Sequence, residues 1–462
     1  MTTPSEELAV AYGAEIENAA LQHQWIHQAS WRDLAQRKGL RVFERSEGIY
    51  LFDIHGRRYI DAMAGLVVVN IGHGRTEIAE AAAAQIRQLA YVSAANYTSV
   101  PAAELSARIA ELTPGDLERS FFCSGGSEAV ETALKIAKQV QFLRGFPKRY
   151  KIIARRGSYH GATFGAMSIS SNRAETEPFF GPFMYGVTHI PNVDHYRNDF
   201  GLNGPEGDLM AARYLEQEIK FQGPETVAAF IGEPISTAMG CHVPSAAYWQ
   251  EVRRICDQYG VLLIMDEVID GWGRTGRLFA AEHFDVQPDI LTMAKGLSSG
   301  YAPIAAAVVR PSLFATFQEG ERRLSHLLTF GAHPVSCAIA LKNIEILERE
   351  RLVENSARMG EYLLAGMRRM LPDHPSLGDA RGAGLMCAFE LVKSKDTKEA
   401  WTKDSPFSVR LGQLLHERGV LVRILAQLVL APPLIISREQ IDELLSTLDG
   451  ALTDVEHEFK MR

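Results

Sequence analysis

The sequence predicts an α/β fold with a mostly parallel central sheet in a large domain and a smaller α+β domain beside it. Three observations carry this. The length of 462 residues exceeds what one ordinary core supports, so two domains are expected. From about residue 75, helical and strand patterns alternate, and several strands are near-continuous apolar runs, as a sheet covered on both faces requires. After about 331 the style changes to long amphipathic helices with a few short strands.

The elements follow in order. Residues 1 to about 60 read as helix and then strand. Gly48-Ile-Tyr-Leu-Phe-Asp-Ile-His-Gly56 is a strand entering an Asp-Ile-His-Gly turn, and Arg57-Arg-Tyr-Ile-Asp61 leaves it, making a hairpin. Strands are predicted at 119–123, 151–155, 227–232, 261–266, 290–294 and 304–309. Helices intervene at 127–143, 207–221 and 246–258. Beyond 331, helices are expected at 335–350, 354–371, 405–418 and 437–459, with strands at 384–391 and 419–431. The expected division is a segment 1–65 joining the small domain, a large domain 66–330 and a C-terminal small domain 331–462. No repeat or low-complexity tract appears.

Bulk properties exclude several functions. Hydrophobic residues make up 46% and charged residues 23%, a globular composition. The net charge of −8 argues against nucleic acid, whose phosphates want a basic face. No apolar stretch reaches the roughly 18 residues of a membrane span. Met-Thr-Thr-Pro-Ser-Glu-Glu lacks the basic-then-apolar layout of a signal peptide. Cys123, Cys241, Cys256, Cys337 and Cys387 are scattered and show no metal spacing. Reduced thiols, no metal and a cytoplasmic location are the expectation.

The chemistry concentrates at strand ends. Asp266 closes the run Val261-Leu-Leu-Ile-Met265, and Lys295 closes Ile290-Leu-Thr-Met-Ala294 before Gly-Leu-Ser-Ser-Gly. An acid and an amine ending successive buried strands suit pyridoxal phosphate (PLP). That cofactor needs a lysine amine for its aldehyde and a carboxylate for its pyridinium nitrogen. A carboxylate beside the nitrogen favours its charged form, and the lysine, once displaced by substrate, is a general base near neutral pH.

Ser124-Gly125-Gly126-Ser127-Glu128 follows a strand and opens a helix. Exposed N–H groups, the helix dipole and the glycines make an anion cradle there, to which Ser127 adds a hydroxyl. Alone, the pattern fits a capping box equally well. The aspartate and lysine downstream decide for phosphate. Tyr159 and His160, between Gly157 and Gly161, sit at a strand's carboxyl end, where open α/β sheets bind ligands. They are placed to stack on an aromatic ring, although an ordinary loop would read the same. Glu233 ends another strand and Val268 lies two residues past Asp266. Glu233 is expected near the phenolic oxygen or fixing a neighbour, and Val268 on the ring face opposite Tyr159; both also suit scaffold.

Three decoys fall away. Gly271-Trp-Gly-Arg-Thr-Gly276 matches G-x-G-x-x-G but starts too far past its strand and precedes no long helix. Gly296-Leu-Ser-Ser-Gly300 matches the esterase elbow G-x-S-x-G but continues as loop and strand. Leu263-Ile-Met-Asp-Glu267 resembles a nucleotide-hydrolase acidic strand, yet the chain has no G-x-x-x-x-G-K-[ST] loop.

From about 40 to 450 the chain resembles the class III (subgroup II) aminotransferases, fold-type I PLP-dependent transferases. Asp266-Glu-Val-Ile-Asp-Gly-Trp-Gly-Arg-Thr-Gly276 and Lys295-Gly-Leu-Ser-Ser-Gly carry the resemblance. It implies that Lys295 binds the cofactor aldehyde, Asp266 faces the pyridinium, Gly126 and Ser127 hold phosphate, and Tyr159 and Val268 sandwich the ring. Thr329, in Leu328-Thr-Phe-Gly-Ala-His-Pro334, looks like the threonine that reaches the neighbouring subunit's phosphate. A homodimer with shared sites, or a dimer of dimers, is implied.

Asp61-Ala-Met-Ala-Gly-Leu-Val-Val-Val-Asn-Ile-Gly-His-Gly74 is similar to the ω-transaminase branch, which acts on amines or ω- and β-amino acids with pyruvate. Arg423 falls where that branch carries a mobile arginine able to clamp a carboxylate. Leu66 and Ala238 match pocket positions. Val67 stands where many amine:pyruvate transaminases have tryptophan, and Ala94-Ala-Asn-Tyr97 thins an aromatic stretch. A wider pocket and bulkier, aliphatic or β-amino acid donors are expected. The function read from all this is a ping-pong ω-aminotransferase. Its alternatives are an aminomutase, a decarboxylating relative, a GABA, ornithine or diaminopelargonate type, and a non-catalytic regulator on the same fold.

Overall fold

The computed structural model describes residues 4–28, 40–171, 173–197, 200–202, 204–319 and 322–462. The remainder of the predicted N-terminal segment, 1–3 and 29–39, lies outside them. Strands are numbered in chain order: β1 Phe43–Glu47, β2 Tyr50–Asp53, β3 Arg58–Asp61, β4 Arg119–Cys123, β5 Lys151–Arg155, β6 Val187–Ile190, β7 Val227–Gly232, β8 Leu262–Asp266, β9 Ile290–Met293, β10 Ala305–Val309, β11 Leu377–Ala383, β12 Met386–Leu391, β13 Val420–Leu421, β14 Arg423–Ile424 and β15 Gln427–Leu430.

The central sheet has seven strands in the order β4-β10-β9-β8-β7-β5-β6. Its pairings are parallel except those of β10, which runs against both β4 and β9. Alternate side chains of the strands enter two cores. Ile152, Ala154, Ile231 and Ile264 pack under the helix Gly126–Leu143 through Val130, Ala133, Ala137 and Val140. Ile153, Phe230, Leu263 and Met265 pack on the other side against Leu215 and Ile219 of the helix Gly204–Gln222 and Val252 and Ile255 of the helix Ala246–Tyr259. Each such fully buried aliphatic or aromatic side chain contributes roughly 1.5–3 kcal/mol. That two-sided demand explains why these strands read as unbroken apolar runs.

Three departures from the sequence reading follow from strand pairing. β6 lies at the sheet edge, and its Val-Thr-His-Ile is only half-buried, so no apolar run announces it. The strand expected at 384–391 is half of a hairpin: β11, with Gly378, Asp379, Arg381 and Gly382, precedes it and is held by pairing to β12. The stretch 419–431 breaks into β13, β14 and β15, and these serve two sheets. β14 and β15 complete the antiparallel order β11-β12-β15-β14, whereas β13 pairs parallel with β3 in β1-β2-β3-β13.

The glycine-rich decoys are structural. Trp272 and Arg274 are fully buried. Arg274 Nη1 donates to Leu385 O at 2.9 Å and Pro432 O at 2.6 Å, and Nη2 to Asn70 Oδ1 at 2.7 Å. The loop thus fastens the end of β8 to the C-terminal part of the chain. Lys295–Leu297 form one 3-10 turn with no α-helix after Ser298, so no nucleophile elbow exists.

Candidate active site

The groups predicted to carry chemistry collect at the carboxyl ends of β4, β5, β7, β8 and β9. Asp266 and Lys295 sit on neighbouring strands. Asp266 pairs in register with Thr292, and Lys295 follows three residues later in the 3-10 turn. Lys295 has φ +43°, a left-handed conformation costly for a side-chain-bearing residue and common where a site dictates backbone geometry. Burial pushes its amine pKa down to about 8. Asp266 opposes the shift and Arg423 reinforces it. At pH 7 about a tenth of such a lysine is free amine, far more than at the ordinary lysine value, and the free amine is the form that attacks a carbonyl or takes up a proton.

Asp266 is 4% exposed and held from three sides. Its Oδ1 accepts from Thr292 Oγ1 at 2.8 Å and Val268 N at 3.2 Å. Its Oδ2 faces His160 Nδ1 at 2.7 Å. An ionised carboxylate only accepts, which assigns the proton to Nδ1. His160 therefore turns inward to orient Asp266, leaving only Tyr159, 44% exposed, at the mouth. This corrects the expectation that both would stack on a ring.

Glu233 fixes its neighbours. Its Oε1 accepts from Tyr159 N and from Ser236 Oγ, both at 3.1 Å. Its Oε2 lies 3.5 Å from the Arg155 guanidinium and 4.0 Å from His160 Nε2. Arg155, 1% exposed, also donates to Glu233 O. A buried cation thus balances the acid beneath the loop that carries Tyr159.

At the end of β4, the helix starts at Gly126 with Gly125 as its cap residue and no side-chain cap bond. The capping box read from Ser124 and Ser127 is half-formed: Glu128 Oε2 accepts from Ser124 N at 2.7 Å. Ser127 instead accepts from Ala162 N at 3.0 Å, joining the cradle to the Tyr159 loop. A Cβ on Gly125 would meet nothing within 4 Å, whereas one on Gly126 would lie 2.7 Å from Val268 Cγ1. Open space at a helix N-terminus, floored by Val268, fits a phosphate group. With a lysine whose amine pKa is lowered to about 8 and a fixed buried carboxylate, the donor set fits PLP.

The remaining predicted residues take varied positions. Val67 is buried at φ +57° among Met63, Ile235 and Met386. Leu66 and Tyr97 are 60% and 69% exposed. Ala238 is half-buried, and Thr329 and Arg423 are exposed. Sequence reasoning missed Thr292, Arg155 and Asp270. For Thr292 and Arg155 the available signal was a polar residue inside or at the end of an apolar strand run; Asp270, four residues past β8, had none.

Fold and site together define a PLP-dependent aminotransferase. The sequence model described as "Aminotransferase class-III" matches residues 34–452, and the chain belongs to that family. A probable aminotransferase of Mycobacterium tuberculosis is 41% identical over 448 residues, 96% of this chain and 95% of that protein. Taurine–pyruvate aminotransferase of Bilophila wadsworthia is 38% identical over 444 residues, 93% and 96% of the two chains. The solved structure of an (S)-enantioselective ω-transaminase from Thermomicrobium roseum superposes with a TM-score of 0.92 at 42% identity, covering 96% of this chain and 98% of that one. Among the described residues no helix is long and apolar enough to cross a membrane, and no group of His, Cys, Asp or Glu could hold a metal ion.

Proposed function

We propose that this enzyme is an ω-aminotransferase taking nitrogen from a primary amine or an ω- or β-amino acid and delivering it to pyruvate. The observation that carries the reading is Arg423. Its guanidinium is exposed on β14 and still acts electrostatically on the Lys295 amine. A cation so placed can bind the keto acid's carboxylate beside the reacting nitrogen and swing aside for an uncharged donor. PLP, when bound, supplies an aldehyde carbon for nitrogen and a ring that draws electrons from the donor's Cα. Lys295 would hold and move the proton at that carbon, Asp266 would face the ring nitrogen, and Gly126 and Ser127 would hold the phosphate. Val67, in place of a large aromatic, leaves room for bulky or aliphatic donors.

Arg423→Ala is expected to raise KM for pyruvate about 10-fold to 100-fold, the loss of one charge-assisted clamp, while use of an uncharged amine changes less than threefold or so. Equal losses would remove Arg423 from substrate binding. The donor class is read from half-reactions. Adding β-alanine, a terminal diamine or 1-phenylethylamine to the PLP-loaded enzyme should bleach the visible band with the true donor class, and pyruvate should restore it. A band that none bleaches would contradict the donor assignment.

The same reading divides the chain at 65 and 330 into an N-terminal segment, a large domain and a small domain. The pairing of β3 with β13 favours the attachment of the first segment to the last. We propose further that the enzyme is cytoplasmic and works as a homodimer or a dimer of dimers. Exposed Leu327 and Phe330 flank Thr329, and Tyr91 donates to Thr329 O at 2.9 Å. A second copy covering that face would place Thr329 against its partner's phosphate cradle.

A further inference from the structure

The most unusual group near the site has no role in the reading above. Asp270 lies in the turn after β8 and is 0% exposed. Its Oδ2 accepts from Ile235 N at 2.8 Å, and Ile235 follows Glu233 and Pro234 in the loop after β7. One side chain thus joins the loop that carries Glu233 to the turn that carries Asp266 and Val268. Among the described residues, its Oδ1 is buried without a hydrogen-bond partner.

The charged and titratable groups around Asp270 are mostly acids. From its own turn come Asp266 and Glu267, and from the loop after β7 comes Glu233. Cys241 faces it from the segment beyond that loop, and Lys295 from the end of β9. Glu267 is already satisfied by Ala280 N at 2.6 Å and Ala281 N at 2.8 Å. Glu233 and Asp266 have the partners described above. Among the described residues no arginine bonds to Asp270. A buried carboxylate oxygen lacking a donor, among three other acids, is less favourable than an unpaired hydroxyl in the same place.

We propose that Asp270 is a positioning residue for the amino-group transfer: a carboxyl that keeps its own proton, ties the loop after β7 to the turn after β8, and leaves Lys295 facing one carboxylate charge, that of Asp266. The inference rests on Lys295 and Asp266 being the reacting pair. Burial moves the Asp270 carboxyl in the same direction, well above its ordinary value. The consequence concerns Lys295. A second carboxylate beside the amine would favour its ammonium form and reduce the fraction free to bond the cofactor. A neutral acid keeps the hydrogen bond to Ile235 and omits that charge.

The test uses Asp270→Asn and Asp270→Ala. The amide is nearly isosteric with a neutral acid and still accepts from Ile235 N, whereas alanine orphans that buried N–H. In PLP-free protein at neutral pH, the infrared difference between wild type and D270N should contain the carbonyl stretch of a protonated carboxylic acid. Loss of carboxylate bands instead overturns the proposal, whatever the cofactor does. In the PLP-loaded enzyme, D270N should keep kcat within about threefold of wild type and leave the pH midpoint of the visible band in place. A midpoint lowered by about one unit would mean that a charge had been removed and would also overturn it. D270A should lose at least about tenfold in kcat, because the loop after β7 is no longer tied to the turn that carries Asp266 and the reacting groups lose their alignment. Full activity in D270A would end the positioning role. If D270A does not fold, the infrared result on D270N decides alone. Absence of any visible band after PLP addition would sink the cofactor reading while leaving that result standing.

Discussion

Lys295→Ala is expected to lower turnover by about 10⁴-fold or more while leaving the fold intact. The lysine is asked both to bond the cofactor and to carry a proton at the donor carbon, and general base catalysis alone supplies about 10²–10⁴-fold. No neighbour can substitute. Among the described residues the titratable groups nearest the amine in effect are Asp266, Arg423, Asp270 and Arg274; arginines stay protonated, Asp266 is engaged by Thr292 and His160, and Asp270, as proposed above, keeps its proton and accepts from Ile235. The depressed lysine pKa gives a second readout. Only the free amine bonds an aldehyde, and its fraction rises with pH until it saturates above about 8. PLP uptake by the cofactor-free enzyme should therefore accelerate about tenfold per pH unit below that value and level off above it. A midpoint near the ordinary lysine value, or steady turnover by the alanine variant, would remove Lys295 from the chemistry. Stability supplies the control. Alanine deletes a buried amine whose charged form the site disfavours, so the thermal midpoint should hold or rise.

Much of this could be read from the chain because parallel strands buried on both faces must be apolar throughout. The strands around Phe230, Ile264 and Leu291 announce themselves that way, and the residue that breaks each run marks a carboxyl end. Lys295 and Asp266 are two such breaks. β6 and β11 were not legible, since an edge strand and a glycine-bearing hairpin strand owe their existence to a partner's hydrogen bonds. His160 was expected to face the ring together with Tyr159: the residue order places it on the loop after β5, but its inward turn depends on Asp266, 106 residues away. Asp270 was invisible for the same reason. Nothing local distinguishes a carboxyl at a turn from one sealed among three other acids.

Asp266→Asn separates charge from geometry more cleanly than any other change in the site. Thr292 Oγ1 and Val268 N donate to Oδ1, and an amide oxygen in that place still accepts from both; the amide NH2 then faces His160 Nδ1, which becomes the acceptor once the imidazole carries its proton on Nε2. The side chain should keep its place, and PLP should still be held by the glycine cradle and Lys295. What disappears is the negative charge facing the ring nitrogen. Without it the nitrogen has no counter-ion in a buried setting, its protonated form is disfavoured, and the pull on electrons leaving the donor's Cα weakens in the transition state. Fixed charges aimed at developing charge in such sites are worth about 10²–10³-fold in rate. The expected result is a kcat lower by that factor, an amine KM changed less than about threefold, and a thermal midpoint equal to or above that of the parent, because burying a carboxylate is itself unfavourable. A variant that loses PLP and rate together would assign Asp266 to anchoring rather than to electronics. A fully active variant would show that the ring nitrogen needs no carboxylate here, and the pairing of β8 with β9 would then position Lys295 alone.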